Sequence, residues 1–272
     1  MRRRRWACLP LLLCSLALQL RAGAAAAETP DRVALVIGNS SYSIGALKNP
    51  VADARGVAAS LQALGFHVTL KENADFRTML NEIRSFSTHA KDTDVRMFYY
   101  AGHGMQVNGR NYLIPVDITL GSEADIIARS VDLSELVAKL DVARSGLNIL
   151  VLDACRNNPF SSPALMAANG RLARFRSFAS KGLAEVNAPA GTLVEFATAP
   201  GEIALDGGSA EHSLYTRSLL LNIDVPGLPV EQLFKRVRNA VAKETSGRQI
   251  PWESSSLLGD FCFHKLPEGA CR

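Results

Sequence analysis

Several features that would settle the class of this protein at once are missing from its sequence. No basic stripe interleaves with aromatic residues, so the footprint of a nucleic-acid binder is absent. The longest apolar run, Leu9 to Leu20, is about a dozen residues, short of the roughly 20 that cross a bilayer. No stretch alternates oxygen ligands as a calcium loop does, and no segment repeats. Cysteine is scarce, at five residues. Surplus charge also disappears once the first residues are set aside. Arg2 to Arg5, the apolar run and the small residues Ala22 to Ala27 read as a secretory signal peptide cut after Ala27, with an uncleaved membrane anchor as the alternative. Lys and Arg total 30 against 26 Asp and Glu; the leader holds five Arg and no acid, which leaves 25 against 26, a net charge of −1. The basicity of the whole chain is a targeting signal, and a secreted or periplasmic protein with no membrane contact after cleavage is expected.

Three cysteines remain beyond the leader: Cys155, Cys262 and Cys271. In an oxidising compartment the last two, with Pro267 and Gly269 between them to turn the chain, are placed to close a small loop; the other reading is three free, buried thiols. If the loop closes, Cys155 is the odd thiol and needs a reason to be there.

Residues 28–272 suit one large α/β domain. RVALVIG (Arg32 to Gly38) predicts a first strand, and Pro50 opens a helix to about Leu64. FHVTL predicts a second strand, and Phe76 to Ala90 a second helix. DVRMFYYAG predicts a third strand, followed by a hairpin turning at Asn108 and Gly109. A helix over Leu133 to Val142 leads to the fourth strand, LNILVLDAC. Residues 156–190 are rich in Asn, Ser, Pro, Ala and Arg and predict a long mobile loop between a large and a small segment. Thr192 to Ala199 predicts a fifth strand, His212 to Asn222 and Val230 to Thr245 two helices, and Gly259 to Phe263 a last strand. Strand and helix in alternation imply a mostly parallel, about six-stranded sheet flanked by helices.

Two of these strands stop on reactive side chains. FYYAGHG carries His103 between two glycines, and LNILVLDAC ends on Cys155, followed by a polar stretch that cannot continue a buried strand. Each residue alone has a bland reading, a satisfied polar group or a small hydrophobe. Together, at the carboxyl ends of parallel strands where α/β sheets bind ligands, they point to a cysteine hydrolase. The thiolate is the attacking species, and His103 serves as general base or stabilises it and then protonates the leaving amine. No third side chain stands out, so a dyad is expected; Asn148 and Asp117 are weak candidates to orient the imidazole.

YYAGHG, LDACRNNPF and FATAPGEIALDG, in that order, resemble the motifs of the caspase-like cysteine peptidases, especially the bacterial relatives of metacaspases. The caspase signature places its Cys after Gln-Ala, with the His about 50 residues upstream; here Asp153-Ala154-Cys155 is preceded by His103, 52 positions earlier. The resemblance covers most of residues 31–263 and implies a caspase-like three-layer sandwich. It also implies that the backbone N–H groups of Gly104 and Cys155 receive the developing oxyanion, where losing one donor costs about 3 kcal/mol of barrier.

The departures from true caspases concern specificity. Caspases cut after Asp in a basic pocket. In this chain Asp153 replaces the Gln of the signature, Asp206 falls where a substrate-binding Arg is expected, and Asp53 matches a pocket acid of metacaspases. Three carboxylates attract Arg or Lys, so peptide substrates cut after a basic residue are expected. Asp53 has a second reading as a helix N-terminal acid, Asp206 as a turn former. Arg171, Arg174, Arg176 and Lys181 then become candidate self-processing sites. No cofactor or metal is implied by the residues; the metacaspase resemblance raises calcium activation without a ligand loop to support it. Two rival readings remain, a catalytically silent scaffold of the same fold and a cell-wall cysteine amidase. Nothing in the sequence speaks to oligomeric state.

Overall fold

The computed structural model describes residues 32–90, 93–119, 123–141, 146–155 (at Cys155 the backbone alone), 183–200, 202, 211–267, 269 and 271. Eight strands and six helices are found among them: β1 (Arg32–Gly38), α1 (Pro50–Ala63), β2 (His67–Glu72), α2 (Phe76–His89), β3 (Val95–Val107), β4 (Arg110–Leu113), α3 (Glu123–Arg129), β5 (Val131–Asp132), α4 (Leu133–Asp141), β6 (Leu147–Cys155), β7 (Thr192–Phe196), α5 (Leu214–Ile223), α6 (Val230–Glu244) and β8 (Trp252–Ser255). The central sheet runs β2-β1-β3-β6-β7-β8. The first four pairings are parallel and β8 is antiparallel to β7.

The order follows from burial. β1, β3 and β6 are apolar at successive positions because helices cover both faces of the sheet, as a central parallel strand requires. Met97, Tyr99, Ile149 and Val151 face α1, α5 and α6. Phe98, Tyr100, Leu150 and Val194 face α2 and α4. Phe98, Tyr99 and Tyr100 are fully buried, and each large apolar side chain so placed contributes roughly 2 kcal/mol. β2, at the rim, is only half-buried. Helix α1 begins with Pro50 at its first turn, where the missing N–H is no loss. Helix α2 is capped by Asp75, whose Oδ1 accepts from the Thr78 N–H at 2.7 Å.

Three expectations change. The third strand does not stop at the glycines: β3 continues to Val107 because β4 pairs with Gly104 to Val107 and extends the ladder. The hairpin turn itself is as expected, with Asn108 and Gly109 at φ 51° and 79°, the left-handed pair a tight two-residue turn needs. The last strand is Trp252–Ser255, not 259–263. Phe261 and Phe263 instead pack edge to face, ring centroids 5.1 Å apart, against the α1 side of the core, so the apolar run that looked like a strand is a core anchor. Helix α3 and the short β5 were not anticipated.

Cys262 and Cys271 form a disulfide. Of the long loop, residues 156–182 lie outside the described residues, and with them Arg171, Arg174, Arg176 and Lys181; the leader and Asp206 do too. Its last part, 183–190, is docked. Leu183 is buried, and Ala184 exchanges two hydrogen bonds with the Asn111 side chain, at 2.6 and 2.9 Å.

Candidate active site

Register brings the two reactive positions together. In the parallel pairing of β3 with β6, the Cα of His103 lies opposite that of Cys155, on strands about 4.8 Å apart. Cys155 is the last residue of β6 while β3 runs on, so the pair marks the sheet edge at which the ladder between them ends. Gly104 is the next residue of β3. Leu183 covers it closely: a Cβ at position 104 would lie 3.1 Å from Leu183 and 3.2 Å from Ala154.

His103 is held by backbone and by tyrosines. Its Nε2 lies 2.6 Å from the Gly45 carbonyl oxygen. A carbonyl only accepts, so Nε2 carries the proton and Nδ1 presents a lone pair. Among the described residues that Nδ1 is buried with no hydrogen-bond partner. Burial pushes the imidazole down from 6.5 to about 4, opposed by the Gly45 carbonyl. The ring is therefore neutral at neutral pH, the state a general base needs. The Tyr42 ring packs against it, tilted by 47° at a centroid distance of 4.4 Å. The Tyr42 hydroxyl accepts from the His103 N–H at 3.0 Å and donates to the Ile114 carbonyl at 3.0 Å. The Tyr100 hydroxyl lies 2.8 Å from the His103 carbonyl oxygen.

These hydroxyls explain Gly102. A Cβ there would fall 2.6 Å from the Tyr100 hydroxyl and 2.7 Å from that of Tyr42. The glycine serves close approach, and its φ of 156° is a backbone conformation that residues with a side chain rarely adopt.

The weak candidates to orient the imidazole are elsewhere. Asn148 accepts from the buried Arg96 Nε at 2.9 Å and donates to the Thr192 hydroxyl, at the opposite end of β6. Asp117 accepts from the Phe76 N–H at 2.9 Å, at the start of α2. The orienting group is the Gly45 carbonyl, which no side-chain inventory reveals. Tyr42 lies in a polar loop, where no periodicity marks a site residue.

Two of the three predicted acids are brought together. Asp53, in the first turn of α1, and Asp153, two residues before Cys155, are both buried. Asp53 Oδ1 accepts from the Ser213 N–H at 3.0 Å and lies 3.0 Å from His212 Nδ1. Asp153 Oδ2 accepts from the Ser213 hydroxyl at 2.5 Å and the Thr216 hydroxyl at 2.7 Å. A serine before an apolar run is a helix-cap signal, so Ser213 was findable as a cap; that it also touches both acids was not. Asp206 lies outside the described residues. No group of three or more His, Cys, Asp or Glu able to hold a metal is found among the described residues.

The mostly parallel sheet covered by helices can be set beside known proteins. The chain is 29% identical over 127 residues to the mouse mucosa-associated lymphoid tissue lymphoma translocation protein 1 homolog, and 28% identical over 127 residues to the human protein. Those alignments cover 46% of this chain and 15% of the relatives' length. A family model described as the caspase domain matches residues 31–262. With a mostly parallel, helix-flanked sheet and a match that spans residues 31–262, this protein belongs to the caspase-domain family of peptidases.

Proposed function

We propose that this protein is a cysteine endopeptidase in which His103 and Cys155 form a catalytic dyad and which cuts after Arg or Lys. The observation that carries the reading is the register pairing of His103 with Cys155, together with a neutral imidazole whose Nε2–H is committed to Gly45 and whose Nδ1 lone pair is left for chemistry. Nδ1 takes the thiol proton and the sulfur attacks the scissile carbonyl carbon. The N–H groups of Gly104 and Cys155 take the oxyanion's charge. As the C–N bond breaks, Nδ1–H gives its proton to the leaving amine, and water then hydrolyses the thioester with the same base. No step uses a cofactor.

The preference for a basic residue is supported by the convergence of Asp53 and Asp153 on one helix end, beside the nucleophile's strand. An Arg guanidinium pairs with carboxylates in two parallel hydrogen bonds, which Lys cannot copy. Self-processing at Arg171, Arg174, Arg176 or Lys181 and secretion through residues 1–27 belong to the same reading.

Hydrolysis of a fluorogenic peptide with Arg before the cut, beside the Cys155→Ala variant, tests the core of it. Loss of turnover in the variant is expected. No turnover by the parent protein would favour the scaffold reading, and turnover of muropeptides in place of peptides the amidase reading. Intact masses of the two purified proteins test self-processing, since identical masses would exclude it.

A further inference from the structure

We propose that Ser213 and Thr216, at the start of α5, are positioning residues for substrate selection: they hold the buried carboxylates of Asp53 and Asp153 against the start of this helix and thereby set the preference for a basic residue. The proposal rests on reading those two acids as the site for the substrate's cationic side chain.

Asp53 and Asp153 are 100 positions apart in sequence, on a helix and a strand. One residue touches both. The Ser213 N–H donates to Asp53 Oδ1 at 3.0 Å, and the Ser213 hydroxyl donates to Asp153 Oδ2 at 2.5 Å. The same hydroxyl accepts from the Thr216 N–H at 2.9 Å and so caps α5. A cap needs only that acceptor role; both donor roles go beyond it.

Thr216 adds a contact that capping does not use at all. Its hydroxyl donates to Asp153 Oδ2 at 2.7 Å and lies 2.6 Å from the Tyr99 hydroxyl. A threonine hydroxyl has one hydrogen. With that hydrogen on Asp153, the Tyr99 O–H must be the donor to Thr216, and the relay runs Tyr99 to Thr216 to Asp153. Two hydroxyl hydrogens meeting on Oδ2 suit an ionised carboxylate. On Asp153 both of these donors are neutral hydroxyls; on Asp53 the Ser213 N–H is joined by His212 Nδ1 at 3.0 Å.

The acids come from the segment before the long loop and their holders from the segment after it. Selectivity therefore depends on how α5 docks against α1 and β6, and not on the acids alone.

The experiment compares the parent full-length protein with Ser213→Ala, Ser213→Thr and Thr216→Val on two fluorogenic peptides that differ only before the cut, Arg against its neutral isostere citrulline. The Arg-over-citrulline ratio of kcat/KM is expected to fall about tenfold in Ser213→Ala and in Thr216→Val, the size of one lost hydrogen bond to a charged group. The change is expected in KM for the Arg peptide more than in kcat, and Ser213→Thr is expected to keep the preference. Thr216→Val leaves the cap in place and decides the matter if Ser213→Ala does not fold. Variants that lose thermal stability yet keep the parental ratio would show a purely structural role and overturn the proposal. A parent protein with no preference for Arg would overturn both the pocket reading and the inference; a parent with the preference and variants that share it would overturn the inference alone.

Discussion

Protonating His103 would place a charge where the fold has removed the water that would solvate it. The imidazole is pushed from 6.5 to about 4, a difference on the order of 3 kcal/mol between its charged and neutral states. The unfolded chain binds this proton below pH 6.5 and the folded chain only near 4. Stability from this group is therefore complete above pH 6.5 and is lost as pH falls toward 4. Urea titrations of the parent and His103→Gln across that window are expected to show a shallower acid slope in the variant. Tyr42 matters for a different reason. Its hydroxyl is an acceptor for the buried His103 N–H, and Tyr42→Phe leaves that donor unsatisfied, at a cost of about 1–3 kcal/mol in equilibrium denaturation. His103 was legible in the sequence because an apolar strand ending in Gly-His-Gly is an unusual string. Tyr42 and Gly45 were not, since their contribution is a hydroxyl and a carbonyl delivered by a loop, and loop conformation has no period to read.

Among the elements, β3 does the most. Its first half is a central parallel strand and its second half the arm of a hairpin, so a single extended segment carries His103 from the core to the sheet edge. Gly102 sits at the junction, and Gly102→Ala would drive a methyl group into two tyrosine hydroxyls. Overpacking of this kind costs about 1–3 kcal/mol, and because it displaces the strand beside His103, a loss of turnover larger than the loss of stability is expected when kcat and the unfolding midpoint are compared. Strands β1, β6 and β7 and helices α1, α2, α5 and α6 were readable from runs of β-branched residues and from caps. The strand misplaced to 259–263 shows the limit of that approach. An apolar stretch near a chain end satisfies the same pattern whether it pairs with a strand or anchors the core, and only the partner distinguishes the two.

For the molecule as a whole, the tail that holds Phe261 and Phe263 in the core is closed by the Cys262–Cys271 disulfide. A nine-residue separation corresponds to roughly 2–3 kcal/mol of loop-closure stabilisation. The double variant Cys262→Ser, Cys271→Ser is expected to unfold earlier by that amount in denaturant, with no change in substrate preference, because the bond lies away from Asp53 and Asp153. By itself the sequence determined the alternation of strand and helix and the strand-end His and Cys, since burial on both faces and abrupt polar stops are written locally. Tertiary structure alone decided that His103 and Cys155 share a register, that a loop carbonyl selects the free nitrogen, and that one serine joins two acids 100 residues apart. Those outcomes depend on contacts between distant segments, and the energy of such contacts has no local signature in the chain.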